Sequence, residues 1–243
     1  MNSNGFWMSP PDRTVRGSMG HCNLTVLQPP FDTDLRDRTH ALPPNDPARA
    51  VAFAASFGTV EAIVEDLGPR SALDVPYPDR RTDLDVVQAG AWGHVLGICD
   101  PALADNGNDT PLLYEAQALR ERFPDARVVG RVHFHAGADH TEDIVWLPDG
   151  AMFHASGWPG DEPFVIGGDP DAVIASLGLT TEVLENAGLY LDEDEPDETE
   201  WSALATLALG RADPWNRPDV QTQAFRVGHT ESAVRAMEHL YFV

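Results

Sequence analysis

The side chains best suited to chemistry are concentrated in one short stretch in the middle of the chain. That stretch contains, in order, Arg131, His133, His135, Asp139, His140, Glu142 and Asp143. Imidazole and carboxylate groups are protein ligands of Zn(II), Fe(II) and Mn(II). A metal held there would polarise a substrate or activate a water molecule, with Asp139 or Glu142 as a ligand or a base.

The alternation of side chains in this stretch predicts a strand over 127–135. In such a strand His133 and His135 point to one face, and the apolar residues beside them point to the other. If the next strand pairs antiparallel through the loop that follows, a simple register places His135 opposite Ile144 and His133 opposite Trp146. A slip of one residue would turn the facing side chains to the other face and destroy this arrangement.

A second hairpin is predicted at 148–150, where the sequence is Pro-Asp-Gly. Proline presets the first central φ of the turn, and glycine takes the left-handed position that follows. The same register carried across this turn places His154 beside Ile144. His133, His135 and His154 would then share one face, and a loop carboxylate would complete a site for one divalent ion. In the competing interpretation the histidines are hydrogen-bonded strand residues that bind no metal.

Two tryptophans indicate a different kind of site, a surface for a protein partner. Trp158 and Trp215 lie in turn-rich loops beside acidic residues, in the runs 157–160 and 213–216. Loop aromatics of this kind are typical of binding surfaces. The alternative is that both rings anchor their loops to the core of the protein.

The charge of the chain excludes several functions. Sixteen basic residues stand against 39 acidic ones, for a net charge of −23. Every basic residue is arginine, so the sequence has no lysine for a Schiff base or for a Walker-type phosphate loop. A charge of this sign repels phosphate backbones and anionic lipids, so we expect no nucleic-acid partner and no membrane partner. The acidity is compatible with solubility, with salt adaptation or with a basic protein partner.

Cysteine usage and the N-terminal residues predict a cytoplasmic protein. Cys22 and Cys99 are too few for a disulfide framework, which favours a reducing compartment. Residues 1–11 lack the basic start and the apolar core of a secretory signal. The longest mostly apolar run, 48–57, is too short to span a bilayer.

The elements expected around these residues alternate irregularly between strand and helix. Strands are expected over 21–27, 84–89, 92–99, 127–135, 144–147, 151–155 and 220–227. Helices are expected over 46–57, 60–67, 110–123, 169–177, 180–187, 200–209 and 230–240. The prominent hairpins and the missing βαβ rhythm favour an α+β fold with a largely antiparallel sheet and several packed helices. Residues 1–20 are expected to form a loosely ordered arm, and residues 21–243 a single domain.

Three runs of the sequence, 12–17, 100–107 and 157–161, resemble an uncharacterised actinobacterial family. The resemblance covers most of the chain, and it implies no site residues because that family has no assigned activity. The order of elements over 84–156 is also similar to that of small immunity-type and partner-binding α+β domains. That second likeness concerns the fold alone.

Two functional hypotheses follow from these patterns. The first is a non-enzymatic cytoplasmic domain, immunity-type or regulatory, that needs no cofactor and binds a protein partner through an acidic surface bearing Trp158 and Trp215. The second is a metal-dependent hydrolase or oxygenase that uses zinc, iron or manganese, with no catalytic residue assigned beyond the metal ligands. The candidate ligands are His133, His135, His154, Asp139 and Glu142.

Overall fold

A computed structural model describes residues 6–31, 42–74, 78–104, 110–135, 139–158, 164–191, 196–215 and 217–242. Within these ranges the strands are β1 (Ser18–Leu27), β2 (Val60–Ser71), β3 (Val86–Trp92), β4 (Val95–Cys99), β5 (Arg127–His135), β6 (Asp139–Trp146), β7 (Met152–Gly157), β8 (Val165–Gly168) and β9 (Gln221–His229). The α-helices in the same ranges are α1 (Pro47–Ala54), α2 (Pro111–Arg122), α3 (Pro170–Leu177), α4 (Thr181–Asn186), α5 (Trp201–Leu209) and α6 (Glu231–Phe242).

All the described strands belong to one sheet, in the order β2-β9-β3-β4-β1-β5-β6-β7-β8. Every neighbouring pair runs antiparallel. Four of these pairs join strands that follow one another in the chain, as hairpins do, and β1 lies in the middle between β4 and β5. The predicted α+β class and the largely antiparallel sheet are confirmed.

The central strands are buried on both faces of the sheet, because their side chains alternate between two apolar cores. Val128, Val132 and Ile144 pack on one face with residues of α1 and α2. Val129 and Val145 pack on the other face with residues of α5. Helices α2 and α5 both contact β5 and β6, so these two strands lie between two helical layers.

The helices are short, and the longest, α2 and α6, contain 12 residues each. Among the described residues no helix combines the length and the apolar character that crossing a membrane requires.

The helix predicted over 60–67 is wrong, since these residues belong to β2. This strand is at the edge of the sheet, and among the described strands it pairs only with β9, with three register shifts along its length. Each irregularity breaks the simple alternation of a strand. The apolar residues therefore recur at Val60, Ile63, Val64 and Leu67, a spacing that imitates a helix.

The N-terminal residues in the described part of the chain are held against the domain. The Trp7 indole nitrogen donates to Asp85 Oδ1 at 2.9 Å, and the backbone nitrogen of Ser9 donates to Glu238 Oε1 at 2.7 Å. Val15 is buried. The predicted boundary at residue 20 lies inside β1.

Candidate functional site

The hairpin between β5 and β6 sets the geometry of the predicted histidine cluster. His135 pairs with Asp139 and His133 pairs with Thr141, while Ile144 pairs with Gly130. The register predicted from the sequence is therefore wrong by five positions. The physical reason is that β6 begins at the charged residue Asp139, where a loop was expected, and the connection spans only residues 136–138.

The second hairpin has the predicted register, with His154 opposite Ile144. Taken together, the two registers place His133 and His135 on one face of the sheet and His154 on the other. The three imidazoles do not converge, so the predicted arrangement of His133, His135 and His154 on one face is wrong. His154 instead lies 2.7 Å from Glu142, through Nε2 and Oε1, and both side chains are buried on the face that α2 covers.

The remaining predicted ligands meet where β5 turns into β6. Asp139 Oδ1 lies 2.8 Å from His135 Nδ1 and 3.3 Å from His133 Nε2. These hydrogen bonds lower the pKa of Asp139, and all three side chains are about half exposed. They bond to one another, and within the described ranges no group of three or more His, Cys, Asp and Glu is arranged to hold a metal ion.

The two tryptophans proposed for partner binding have different environments. Trp215 is 2% exposed, its ring meets the Trp92 ring edge-on, and its indole nitrogen donates to Thr25 Oγ1 at 2.9 Å. Its backbone nitrogen donates to Asp213 Oδ1 at 3.0 Å, so the turn directs the ring inward. Trp215 is therefore a core residue and cannot form a binding surface. Trp158 is only partly buried, with its ring 5.1 Å from that of His140.

A cavity of about 630 Å³ lies on the same face as His133, between the sheet and the start of α5. We call it the α5 cleft. Its lining is predominantly polar and comes from β1, β5 and β6 on one side and from residues 197–206 on the other. The lining residues are His21, Arg131, Val132, His133, Asp139, Thr141, Asp143, Asp197, Glu198, Thr199, Glu200, Trp201, Ser202 and Thr206.

Arg131 is the cation in the wall of the cleft, and it is 5% exposed. Its Nη2 donates to Asp213 Oδ2 at 2.7 Å, and its Nη1 donates to Thr206 Oγ1 at 3.0 Å. Its Nε is buried and has no partner among the described residues. The guanidinium charge is thus balanced by Asp213, while one donor remains unused.

Asp143 lies opposite Arg131 in the sheet and is also 5% exposed. Its Oδ1 is buried and accepts no hydrogen bond from the part of the chain that the structure describes. Burial raises the pKa of this carboxyl to about 8; Arg131 opposes the shift, and Glu200 and Glu142 add to it. At neutral pH the carboxyl is mostly protonated, so it can donate a hydrogen bond as well as accept one.

His21 reaches the cleft from β1, in the row that also contains His133. Its Nδ1 is buried and has no described partner. Burial lowers the pKa of His21, and the charges of Arg131 and His133 lower it further. A neutral imidazole and a neutral carboxyl, His21 and Asp143, therefore line one cavity at neutral pH, which is a combination suited to proton exchange with a bound molecule.

The sequence contained part of this site without revealing its organisation. Arg131 and Asp143 belong to the residue cluster identified above, but neither was assigned a role, and His21 was not a candidate. The signal that would have found the pair is the start of β6, because a strand that begins at Asp139 pairs His135 with Asp139 and Arg131 with Asp143. The contribution of α5 and of Asp213 is long-range and has no local signature.

Comparison with known proteins places this architecture in a family but adds no activity. No curated protein and no solved structure matches the chain. The model of one family, described as a family of unknown function (DUF6333), matches residues 6–243. This match confirms the predicted resemblance to an uncharacterised family. The chain belongs to the DUF6333 family.

Proposed function

We propose that the protein binds a small polar molecule in the α5 cleft. The observation that carries this proposal is that three buried polar atoms in the cleft residues have no described partner: Nε of Arg131, Oδ1 of Asp143 and Nδ1 of His21. A buried polar atom without a hydrogen bond costs about 1–3 kcal/mol. Native proteins rarely leave such atoms unsatisfied, and a molecule bound in the cleft would supply the missing hydrogen bonds.

The dimensions of the cleft suit this role. Its volume of about 630 Å³ is in the range of roughly 300–1,000 Å³ that is typical of small-molecule sites. One wall is the sheet, where residues are fixed by strand pairing on both sides. Rigid elements hold recognition groups more accurately than loops do.

The polar groups have complementary hydrogen-bonding roles. Arg131 Nε donates, His21 Nδ1 donates or accepts according to its tautomer, and the Asp143 carboxyl does either according to its protonation. The hydroxyls of Thr199 and Ser202 belong to the lining of the opposite side. A molecule with several hydrogen-bonding groups fits this set better than an apolar one.

The experiment is a fragment screen followed by NMR on the purified chain. We expect polar fragments that bind to shift the amide resonances of residues 21, 131 and 143. Asp143→Ala is expected to weaken the binding of these fragments at least about tenfold, because it removes a buried group that both donates and accepts hydrogen bonds. The matched control is Glu182→Gln on the exposed surface of α4, which should leave binding unchanged. Fragments that bind only outside the cleft would contradict the proposal.

Binding of a basic protein partner in the cytoplasm is a second candidate, supported by one specific observation. Trp158 is partly buried, packs against the core cluster that contains Phe134, and lies beside His140, in a chain of net charge −23. An aromatic ring of this kind is a typical anchor of a protein interface. The test is affinity capture with Trp158→Ala beside the wild type, and a partner retained equally by both would contradict the role of this ring.

A further inference from the structure

We propose that the ligand of the α5 cleft is a small organic cation, such as an amine, amidine or guanidine, and that Asp143 is its ion-pair partner. This inference rests on the function proposed above and specifies the chemistry of the ligand. It follows from the distribution of charge around the cleft and from the environment of one carboxyl group.

The charged lining of the cleft is mostly acidic. Its carboxyl groups belong to Asp139, Asp143, Asp197, Glu198 and Glu200, and its guanidinium belongs to Arg131. Asp213 lies 2.7 Å from that guanidinium, so the positive charge of Arg131 is compensated before a ligand arrives. The field that remains attracts cations and repels anions.

The start of α5 does not reverse this sign. A helix N-terminus carries a partial positive charge that favours an anion. Here two carboxylates, Glu198 and Glu200, already lie at that position. A phosphate or carboxylate ligand would therefore meet like charges at the only helix end among the lining residues.

Asp143 differs from the surface carboxylates of the cleft because it is buried and one of its oxygens has no described partner. Asp143 is only 5% exposed and lines the cleft, and its Oδ1 has no hydrogen-bond partner among the described residues. A cation bound there would form a charge-assisted hydrogen bond with this oxygen, which is stronger than a neutral one. The ligand, and not Arg131, would then offset the desolvation cost of the buried carboxylate.

Binding of a cation must then release a proton. The free carboxyl of Asp143 has a pKa of about 8, and a bound cation lowers that pKa because it stabilises the ionised form. The proton leaves the Asp143 oxygen for solvent as the ion pair forms. Affinity should rise about tenfold per pH unit below about pH 8 and level off above it.

The charged and titratable groups around Asp143 all influence its pKa and therefore the release of the proton. They are Arg131 on β5, Glu142 beside it on β6, and, on the surrounding elements, His21, His133, Asp197, Glu198 and Glu200. The substitution Asp143→Asn isolates one of them, because it preserves the shape of the side chain and removes only the titration.

The experiment uses three probes of one shape: benzamidine, benzamide and benzoate, which are cationic, neutral and anionic. Calorimetry at about pH 6, 7 and 9, in buffers of different ionisation enthalpy, gives affinity and proton release. We expect benzamidine to bind at least about tenfold tighter than benzamide and to release close to one proton at about pH 7. Asp143→Asn should abolish the proton release and the pH dependence, and Glu182→Gln should change neither.

Other outcomes separate this inference from the proposed function. Benzamide or benzoate binding in the cleft as tightly as benzamidine would overturn the cationic ligand and leave the cleft as a binding site. The cationic ligand would likewise be overturned, and the binding site kept, if polar fragments shift the amide resonances of residues 21, 131 and 143 but benzamidine does not. If no probe and no fragment reaches these residues, both proposals fail.

Discussion

Arg131 and Asp143 face each other across β5 and β6, but they do not bond to each other. Arg131 directs its Nη2 to Asp213, 82 residues away in the chain, at 2.7 Å. The cross-strand ion pair that the register permits is therefore replaced by a tertiary one. Asp143 is left as a buried carboxyl with a pKa of about 8 and an unused oxygen.

Replacement of Asp213 should change the state of Asp143. In Asp213→Asn the guanidinium of Arg131 loses its counter-ion, while the Asn oxygen still accepts from the backbone of Trp215. Arg131 should then interact more strongly with Asp143 and lower its pKa from about 8. The measurement is a pH titration of the carboxyl carbon of Asp143 by NMR.

The matched control for that titration is Asp219→Asn, because Asp219 pairs with Arg217 on the surface. It should leave the midpoint of Asp143 unchanged. An unchanged midpoint in Asp213→Asn as well would show that Arg131 is not the link between the two carboxyl groups.

Asp143 should also make folding depend on pH. Its pKa is near 3.8 when unfolded and about 8 when folded, so the folded state binds more protons in that interval. The contribution of Asp143 to the free energy of unfolding is therefore full below about pH 4 and decreases by up to about 1.4 kcal/mol per pH unit until about pH 8.

Urea unfolding of the wild type and of Asp143→Asn at several pH values checks this linkage. The difference in unfolding free energy between the two proteins should move in favour of the variant as pH rises from about 5 to about 8. Glu182→Gln should parallel the wild type. A difference that stays constant over this range would contradict the raised pKa.

The pair His154 and Glu142 should stabilise the fold without serving the cleft. The two side chains are 2.7 Å apart, and Glu142 is fully buried. His154→Leu leaves that carboxyl without this partner and should cost about 3–5 kcal/mol, while the double variant with Glu142→Leu should recover much of the loss. Chemical unfolding of the four proteins gives the coupling energy.

Ligand binding supplies the second readout for this pair. Because His154 lies on the face opposite His133, a folded double variant should bind uncharged cleft fragments as the wild type does at about pH 6, where Asp143 stays mostly protonated whether or not Glu142 adds to its pKa. Fragment affinity that falls together with the coupling energy would show that the two faces are not independent.

The two tryptophans should respond differently to truncation. Trp215→Ala removes a fully packed ring and the hydrogen bond to Thr25, at a cost of about 3–5 kcal/mol in unfolding free energy. Trp158→Ala removes a ring that is only partly buried and should cost roughly half as much or less. Equal costs, measured by urea unfolding, would contradict the distinction between a core ring and a surface ring.

Local patterns were sufficient to predict most of the fold. Strand β5 has the predicted bounds, 127–135, because its valines favour a strand and polar and apolar residues alternate from Arg131 to His135. The turn at 148–150 forms as its Pro-Asp-Gly sequence indicates, with Gly150 at φ 96°. Helix α2 begins directly after Thr110, at a proline, as expected.

The candidate site was not predictable in the same way, because it violates the patterns on which prediction depends. Glu142 and Asp143 are charged, and a charged pair indicates a loop, yet both are buried within β6. That misreading moved the start of the strand from Asp139 to Ile144 and changed the register of the hairpin. Departures of this kind are expected at functional sites, where a local cost is accepted for chemistry.

The most direct measurement is the carboxyl carbon resonance of Asp143, followed by NMR as benzamidine is added at about pH 7. We predict a saturable shift of this resonance toward the position of an ionised carboxylate. The ring resonances of His21 should shift with it, and the carboxyl resonances of aspartates outside the cleft should not. If the resonances of Asp143 and His21 stay unchanged for benzamidine and for every polar fragment, the α5 cleft is not a ligand site.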